Sequence, residues 1–367
     1  MDKIKEKFSS ICDTRHQSYV EHKLSDILVI TMCAVICGID SLNGIISYAE
    51  NKKEFLENKF GITKIPSKAT LSRVLNMVDA GNVAEIITGI MKESIEDTGS
   101  VVAVDGKAMR STAEKGKPHS ALQVLTAYCT ESSVVLGQEA IHEKTNEIPV
   151  FQEMLEYLDI KGKTVTADAM HCQKETCRKI KEKGGDYVLG LKKNQRMLYE
   201  DVKLYMEENT NEKEMETYTA INKNNGRTEK RTCRKTENTG WISGKNEWEG
   251  LCSIFSVERE VVTKNGKSEE TSYYITSLCT SAEKLLETSR EHWKIESMHW
   301  ILDVVFSEDS SAVLSENSLK SLNILRKFAL MAHKKYVLSQ PRKKAYQTSM
   351  FDCLLNNNRL LDVLKNL

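Results

Sequence analysis

Proline is scarce in this sequence, with four among 367 residues. Proline ends helices and removes a backbone donor, so its scarcity favours regular structure over long coil. No CxxC pair occurs among the ten cysteines, which fall at 12, 33, 37, 129, 172, 177, 233, 252, 279 and 353. Scattered thiols of this kind predict a reducing compartment and no disulfide framework. His171, Cys172 and Cys177 lack a fourth ligand at zinc spacing, so no structural zinc is expected. Neither sign of charge is in excess, since 52 Lys and Arg face 52 Asp and Glu. That balance excludes a uniformly basic chain but says nothing of local patches. Long apolar runs are also absent. The longest, residues 27–39, lies between Asp26 and Asp40 and is shorter than the about 20 apolar residues that span a bilayer. No membrane partner is expected. The opening MDKIKEKFSS has no signal-peptide pattern, so a cytoplasmic, nucleoid-associated protein is expected.

Charged residues make up 28% and hydrophobic residues 40%, as in ordinary globular chains, and the length calls for more than one structural unit. Residues 1–97 read as helical. Within them IPSKATLSRVLNMVD places Ser67 as a cap before an apolar face of Leu71, Val74, Leu75 and Val78. Lys68, Ser72 and Arg73 lie on the other face. Two readings stay open there, a helix-turn-helix reader of DNA and an ordinary bundle helix. After Ser100 the texture changes. VVAVDGK, ALQVLTAYCT and SVVLGQEAI are strand candidates, EIPVFQEMLEYLDI a helix, TVTADAM a strand, CQKETCRKIKEKGG a helix and DYVLGLK a strand. The order β-β-β-α-β-α-β is the ribonuclease H-like pattern, an α/β fold with a mixed sheet. Residues 198–278 interrupt it as a β-rich insertion, with hairpin signals at Asn225-Gly226 and Asn265-Gly266. Thr280 with Glu283 then reads as a capping box for a helix carrying HWKIESMHW. The expected division is a helical DNA-binding domain over 1–97, a catalytic domain over 98–340 and a helical tail over 341–367.

Asp105 lies in the first strand candidate and Asp168 at the end of the fourth, and these two strands are neighbours in a ribonuclease H-like sheet. Glu296 lies on the helix after the insertion. Three carboxylates at one sheet edge suit phosphodiester chemistry, because two Mg²⁺ ions held by hard oxygens can activate the attacking oxygen and steady the leaving one. Taken singly, Asp105 could mark a turn, Asp168 a helix cap and Glu296 a surface acid.

Several segments resemble bacterial insertion-sequence transposases of the DDE class, of the ISAs type that includes the H-repeat-associated proteins. They are VVAVDGKAMRS, KTNEIP at 144–149, VTADAMHCQK, GGDYVLGLKKNQ and HWKIESMHWILDVVFSED, with EHKLSDILVI and IPSKATLSRVL before the core. The resemblance covers nearly the whole chain. It implies Asp105, Asp168 and Glu296 as catalytic and metal-binding residues, two Mg²⁺ ions with Mn²⁺ able to substitute, and strand cleavage and strand transfer on double-stranded DNA. The DNA would be the element's terminal inverted repeats and a target, handled by a homodimer in the synaptic complex. Ser297 stands where the family usually has Asn. Related DDE families carry Tyr, Arg and Lys around the Glu; those spacings fall here on Ser289, His292 and Asp303, which leaves their DNA-clamping roles open.

Further DNA contacts are expected from Lys107 and Arg110 beside Asp105, and from Lys192, Lys193, Asn194 and Gln195 after the fifth strand. Lys68 and Arg73 are expected contacts in the N-terminal unit. His292 and His299 share the face of Glu296 and would touch phosphate, orient a metal-bound water or serve the core. Trp293 and Trp300 read first as core packing, with stacking on an unpaired base as the sharper alternative. Asp303, Glu308 and Asp309 read as a second acidic shell or as caps. Three basic stretches, 161–200, 223–235 and 320–345, together suggest a phosphate-binding surface. The alternatives to a transposase are a nuclease of the same fold and a non-catalytic DNA-binding relic.

Overall fold

The structure is a computed structural model that describes residues 2–97, 99–113, 121–141, 146–208, 215–224, 226–310 and 315–366. The first part of the chain is helical: α1 (Asp2–Ser9), α2 (Leu24–Ile36), α3 (Leu42–Asn51), α4 (Lys53–Phe60), α5 (Lys68–Met77) and α6 (Ala80–Glu93). Apolar on every side, α2 is buried along nearly its whole length, as a helix at the centre of a bundle must be. Ser67 caps α5 by accepting from the Thr70 N–H. Leu71, Val74 and Leu75 point into the core, while Lys68 and Arg73 are exposed.

A mixed α/β core follows in the expected order: β1 (Val101–Ala108), β2 (Gln123–Cys129), β3 (Val135–Ile141), α7 (Glu147–Tyr157), β4 (Thr164–Ala167), α8 (Lys174–Glu182) and β5 (Asp186–Leu191). Then come α9 (Arg196–Glu208), β6 (Glu216–Asn224), β7 (Arg227–Thr236), β8 (Ser253–Thr263) and β9 (Gly266–Thr276). The chain closes with α10 (Ala282–Val304), α11 (Glu316–Ser339), α12 (Tyr346–Leu355) and α13 (Asn357–Lys365).

All nine strands form one sheet in the order β3-β2-β1-β4-β5-β9-β8-β7-β6. β1, β4 and β5 run parallel, so helices must cross between them, and the other pairings are antiparallel. The β-rich insertion therefore prolongs the core sheet, because β9 pairs with β5 from Val188↔Thr276 to Leu191↔Tyr273. Both hairpins turn where the Asn-Gly signals fall, although Asn225 itself lies outside the described residues. Gly226 takes φ +76°, which a residue with a Cβ resists.

Helix α11 packs against α2, α5 and α6, reaches β2 and β3 through Lys327, and is buried along most of its length. This corrects the reading of a phosphate-binding surface for the cations of residues 320–335, whereas Arg342, Lys343 and Lys344 beyond the helix are exposed. Arg326 is fully buried and pairs with Asp40 at 2.5 Å and Glu308 at 3.2 Å. Lys327 donates to Thr126 Oγ1 at 2.8 Å and Gln138 Oε1 at 3.0 Å. Lys335 donates to the Ser94 carbonyl at 2.5 Å, and Lys334 to the Ser133 hydroxyl. A helix packed on both sides has to satisfy its cations internally. Basic stretch 161–200 is largely neutralised too, with Arg178 held by Glu175 and Glu182 and Lys179 by Glu156.

Burial pulls the Lys327 ammonium down to about 7. The unfolded chain then binds more protons than the folded one between that value and the ordinary lysine range, so stability should rise with pH there. Relative to Lys327→Met, wild type is expected to gain about 3 kcal/mol between pH 6 and pH 9, read from urea unfolding. An unchanged difference would contradict the burial account.

Two further expectations need correction. Cys252 and Cys279 form a disulfide with Cα atoms 5.9 Å apart, where the sequence predicted none. They are 27 residues apart, and only the β8–β9 register brings them together. The cap of α10 is Ser281, which accepts from the Lys284 N–H, and not Thr280. Among the described residues, no single helix is long and apolar enough to cross a membrane.

Candidate active site

Asp105 sits within β1 opposite Thr126 of β2, so it is a strand residue and not part of a turn. β1 and β4 pair as far as Val104↔Ala167, and Asp105 and Asp168 are the residues that directly follow that last pair. Gly106 turns the other way, toward α7. A Cβ there would lie 2.8 Å from Glu147 Oε1, the far end of a flexible side chain. Asp168 makes no capping hydrogen bond to the 3-10 turn Ala169–His171 that it precedes, which removes its structural explanation.

Helix α10 packs across β1, β4 and β5 and presents Glu296 between two histidines. Residues four before and three after Glu296 share its face. His292 Nε2 is 3.6 Å from Asp168 Oδ1, and its Nδ1 is 3.2 Å from Thr166 Oγ1. His299 Nδ1 is 3.4 Å from Asp105 Oδ2. Each aspartate thus has its own imidazole, both supplied by the helix that carries Glu296. Contact with His292 holds the Asp168 carboxyl below the usual range against partial burial, with Lys192 adding to the effect. Burial, then the negative charges of Asp105 and Asp168, push Glu296 up, and His292 opposes them. Burial pulls His299 down, against the attraction of Asp105.

The three acids share a neighbourhood without forming a closed cage. Among the described residues, no three His, Cys, Asp or Glu side chains stand as a ready ligand set. Like charges repel, and each aspartate is turned toward its imidazole. A cavity of about 410 Å³ opens beside them, lined by Asp168, Lys192, His292, Trp293, Glu296 and Tyr274, but not by Asp105.

The expected DNA contacts divide. Lys192 lines that cavity, and Lys193 is exposed beside it. Arg110, on the turn after β1, is largely exposed and lies 3.8 Å from Asp309. Asn194 and Gln195 instead tie the loop after β5 to the loop after β4. Asn194 Nδ2 donates to the Ala169 carbonyl at 2.6 Å, and Gln195 Nε2 to the Cys172 carbonyl at 3.0 Å. Lys107 is also spent internally, donating to Asp303 at 2.5 Å and Glu308 at 2.6 Å. Asp303 and Glu308 are therefore counter-ions of β1, and Glu308 also binds Asn323 and Arg326. Lys107 and Glu308 lie in segments that carry the family resemblance, but nothing in the sequence joins them to each other or to Arg326. The core reading of the tryptophans fails: Trp293 is 58% and Trp300 61% exposed. Ser297 donates to the Trp293 carbonyl at 3.0 Å and so serves its own helix. Ser272 and Tyr274 of the insertion also line the cavity, which local alternation in the sequence could not signal.

Strand order β3-β2-β1-β4-β5, with acids on adjacent parallel strands and a third on the crossing helix, defines a ribonuclease H-like fold. Residues 96–332 match the family described as Transposase DDE domain, and residues 5–90 match the one described as DDE_Tnp_1-associated. The chain belongs to the DDE transposase family. It is 35% identical over 343 residues to the H repeat-associated putative transposase YhhI of Escherichia coli (strain K12), covering 90% of each chain. It is 36% identical over 332 residues to the putative transposase YncI of Escherichia coli O157:H7, covering 88% of this chain and 85% of that one. A solved piggyBac transposase synaptic complex with hairpin DNA aligns with 9% identity and TM-score 0.47, over 100% of this chain and 79% of that one, too distant to bear on the chemistry here.

Proposed function

We propose that the protein is a DNA transposase that cleaves the ends of its insertion sequence and joins them to target DNA, with Asp105, Asp168 and Glu296 holding two divalent metal ions. The observation that carries this reading is that α10 sets Glu296 between His292 and His299, which contact Asp168 at 3.6 Å and Asp105 at 3.4 Å, so one helix brings the third acid to both aspartates. Hard oxygen donors with unneutralised negative charge between them suit Mg²⁺, and Mn²⁺ as a substitute. When bound, the metals would activate the attacking oxygen and stabilise the leaving oxygen of an in-line displacement.

The chain's own residues prepare the site. His292 holds Asp168 ionised at the strand end, and His299 steadies Asp105. Lys107 ties β1 to the end of α10, which fixes Asp105 relative to Glu296. Lys192, Lys193 and Arg110 supply exposed cations for phosphate. The nucleophile is water for cleavage and a DNA 3′-hydroxyl for joining. Residues 1–97 serve as the end-recognition unit, with Lys68 and Arg73 outward. Residues 98–340 carry catalysis, and 341–367 form the tail. Two ends must be joined together, so the working complex is a homodimer.

Purified protein with Mg²⁺ or Mn²⁺, end-bearing DNA and a target plasmid should yield joined product. Cleavage without joining would favour a nuclease, and binding without either would favour a relic. Trp293→Ala should leave the melting temperature within a few degrees, because the ring is largely exposed. It should lower joining by about 5- to 100-fold if the ring stacks on an unpaired base. Full activity in that variant would leave the tryptophan without a role in DNA handling.

A further inference from the structure

The insertion and the neighbouring helix α10 bring together four arginines, three of which share the single carboxylate of Glu229. On β7, Arg227, Glu229 and Arg231 alternate onto one face of the sheet. Arg259 of β8 lies directly opposite Arg231 in register. Like charges facing each other across a strand pair are unfavourable unless something negative sits between them. Glu229 does so for three guanidiniums: Arg231 at 2.8 Å, Arg227 at 3.4 Å, and Arg259 in direct contact. One further carboxylate, Glu270, reaches Arg259 only at 3.8 Å and is itself largely exposed. Arg290, exposed on α10, adds a fourth positive charge close enough to act on Arg231. Burial, with Arg290, Arg259 and Arg227, pulls the Arg231 guanidinium below its ordinary range despite Glu229. Arg231 Nη1 is buried and has no hydrogen-bond partner among the described residues. An unpaired buried guanidinium nitrogen is costly and rare in a finished structure.

The same face of the sheet leads to the acids. Glu270, which approaches Arg259, also lines the cavity that holds Asp168, Glu296 and Trp293. Arg290 precedes Glu296 on the same helix by less than two turns.

We infer that Arg227, Arg231, Arg259 and Arg290 form a phosphodiester-binding site on the insertion, which holds the DNA strand beside the cleavage site. This rests on the transposase reading above for the identity of its ligand. Guanidinium groups match phosphate in a forked, charge-assisted geometry that lysines do not offer. Glu229 then acts as the resident counter-ion that keeps the group together and competes with phosphate.

The test uses the full chain, with inorganic pyrophosphate and a short DNA duplex as probes. Pyrophosphate should raise the melting temperature of wild type at constant ionic strength, and Arg227→Ala/Arg290→Ala should lose that shift. Both replaced residues are solvent-accessible, and neither belongs to the proposed metal site. The double variant should also bind duplex about 10-fold or more weakly, with a salt slope lower by about two. Glu229→Gln should tighten both ligands, a gain that a damaged fold cannot produce. No pyrophosphate shift in wild type, or equal DNA affinity and salt slope in the double variant, would overturn the site. If wild type bound no DNA at all, the transposase reading would fail instead, and the pyrophosphate arm would still decide whether the arginines bind anions.

Discussion

Asp168→Ala is expected to reduce cleavage and joining by at least about 10³-fold, which corresponds to roughly 4 kcal/mol of barrier. The loss should come without unfolding. The Asp168 side chain is 64% exposed and caps no helix, so its removal should change stability by less than about 0.5 kcal/mol. Removing its charge also relieves Glu296, whose carboxyl should then titrate lower. Asp105→Ala should abolish activity equally, but it leaves His299 without its carboxylate neighbour and costs more stability. The checks are joined product on a gel, end binding without metal, and the melting temperature. Activity near wild type in the Asp168 variant would remove it from the site.

The second large effect is on stability. Glu308 is fully buried and accepts from Lys107 at 2.6 Å, Asn323 at 2.8 Å and Arg326 at 3.2 Å. Arg326 reaches on to Asp40, so the network joins β1, the end of α10, α11 and the segment after α2. Glu308→Ala leaves two buried cations short of a partner and should cost about 3–5 kcal/mol. Burial would raise the Glu308 carboxyl, but Arg326 and Lys107 outweigh it and bring it down to about 2. A folded-state value below the unfolded one adds stability above the ordinary glutamate range and loses it as pH falls through the folded value. Wild type should therefore lose about 3 kcal/mol from this group between pH 4.5 and pH 2. Urea unfolding of wild type and Glu308→Ala across that range is the measurement. Curves that stay parallel would show that Glu308 does not carry the acid dependence.

Local signals account for much of what the sequence made legible. Alternating runs and Asn-Gly turns pointed to the strand order and both hairpins, since the period of two and the turn chemistry are local. Strand order alone placed Asp105 beside Asp168. Glu296 depended on resemblance, because the whole insertion lies between it and Asp168. What stayed hidden was set by tertiary packing. Exposure of Trp293 and Trp300 depends on which face of α10 meets the sheet, and the helix has apolar residues on more than one face. The cations of 320–335 looked like a surface because nothing local reveals that α11 is covered on both sides. Lys107 looked free for phosphate because its partners, Asp303 and Glu308, lie about 200 residues away. The Cys252–Cys279 bridge likewise follows from a hairpin register and not from spacing.

Everything proposed for catalysis depends on Asp105, Asp168 and Glu296 holding the divalent metals. Iron(II) bound in place of Mg²⁺, with ascorbate and peroxide, cuts the polypeptide next to the metal site, and the fragments can be sized by mass spectrometry. Cuts are expected to cluster near residues 105, 168 and 296, to be suppressed by excess Mg²⁺ and to be lost in Asp105→Ala. Cuts clustered elsewhere, or an unchanged pattern in that variant, would contradict the assignment.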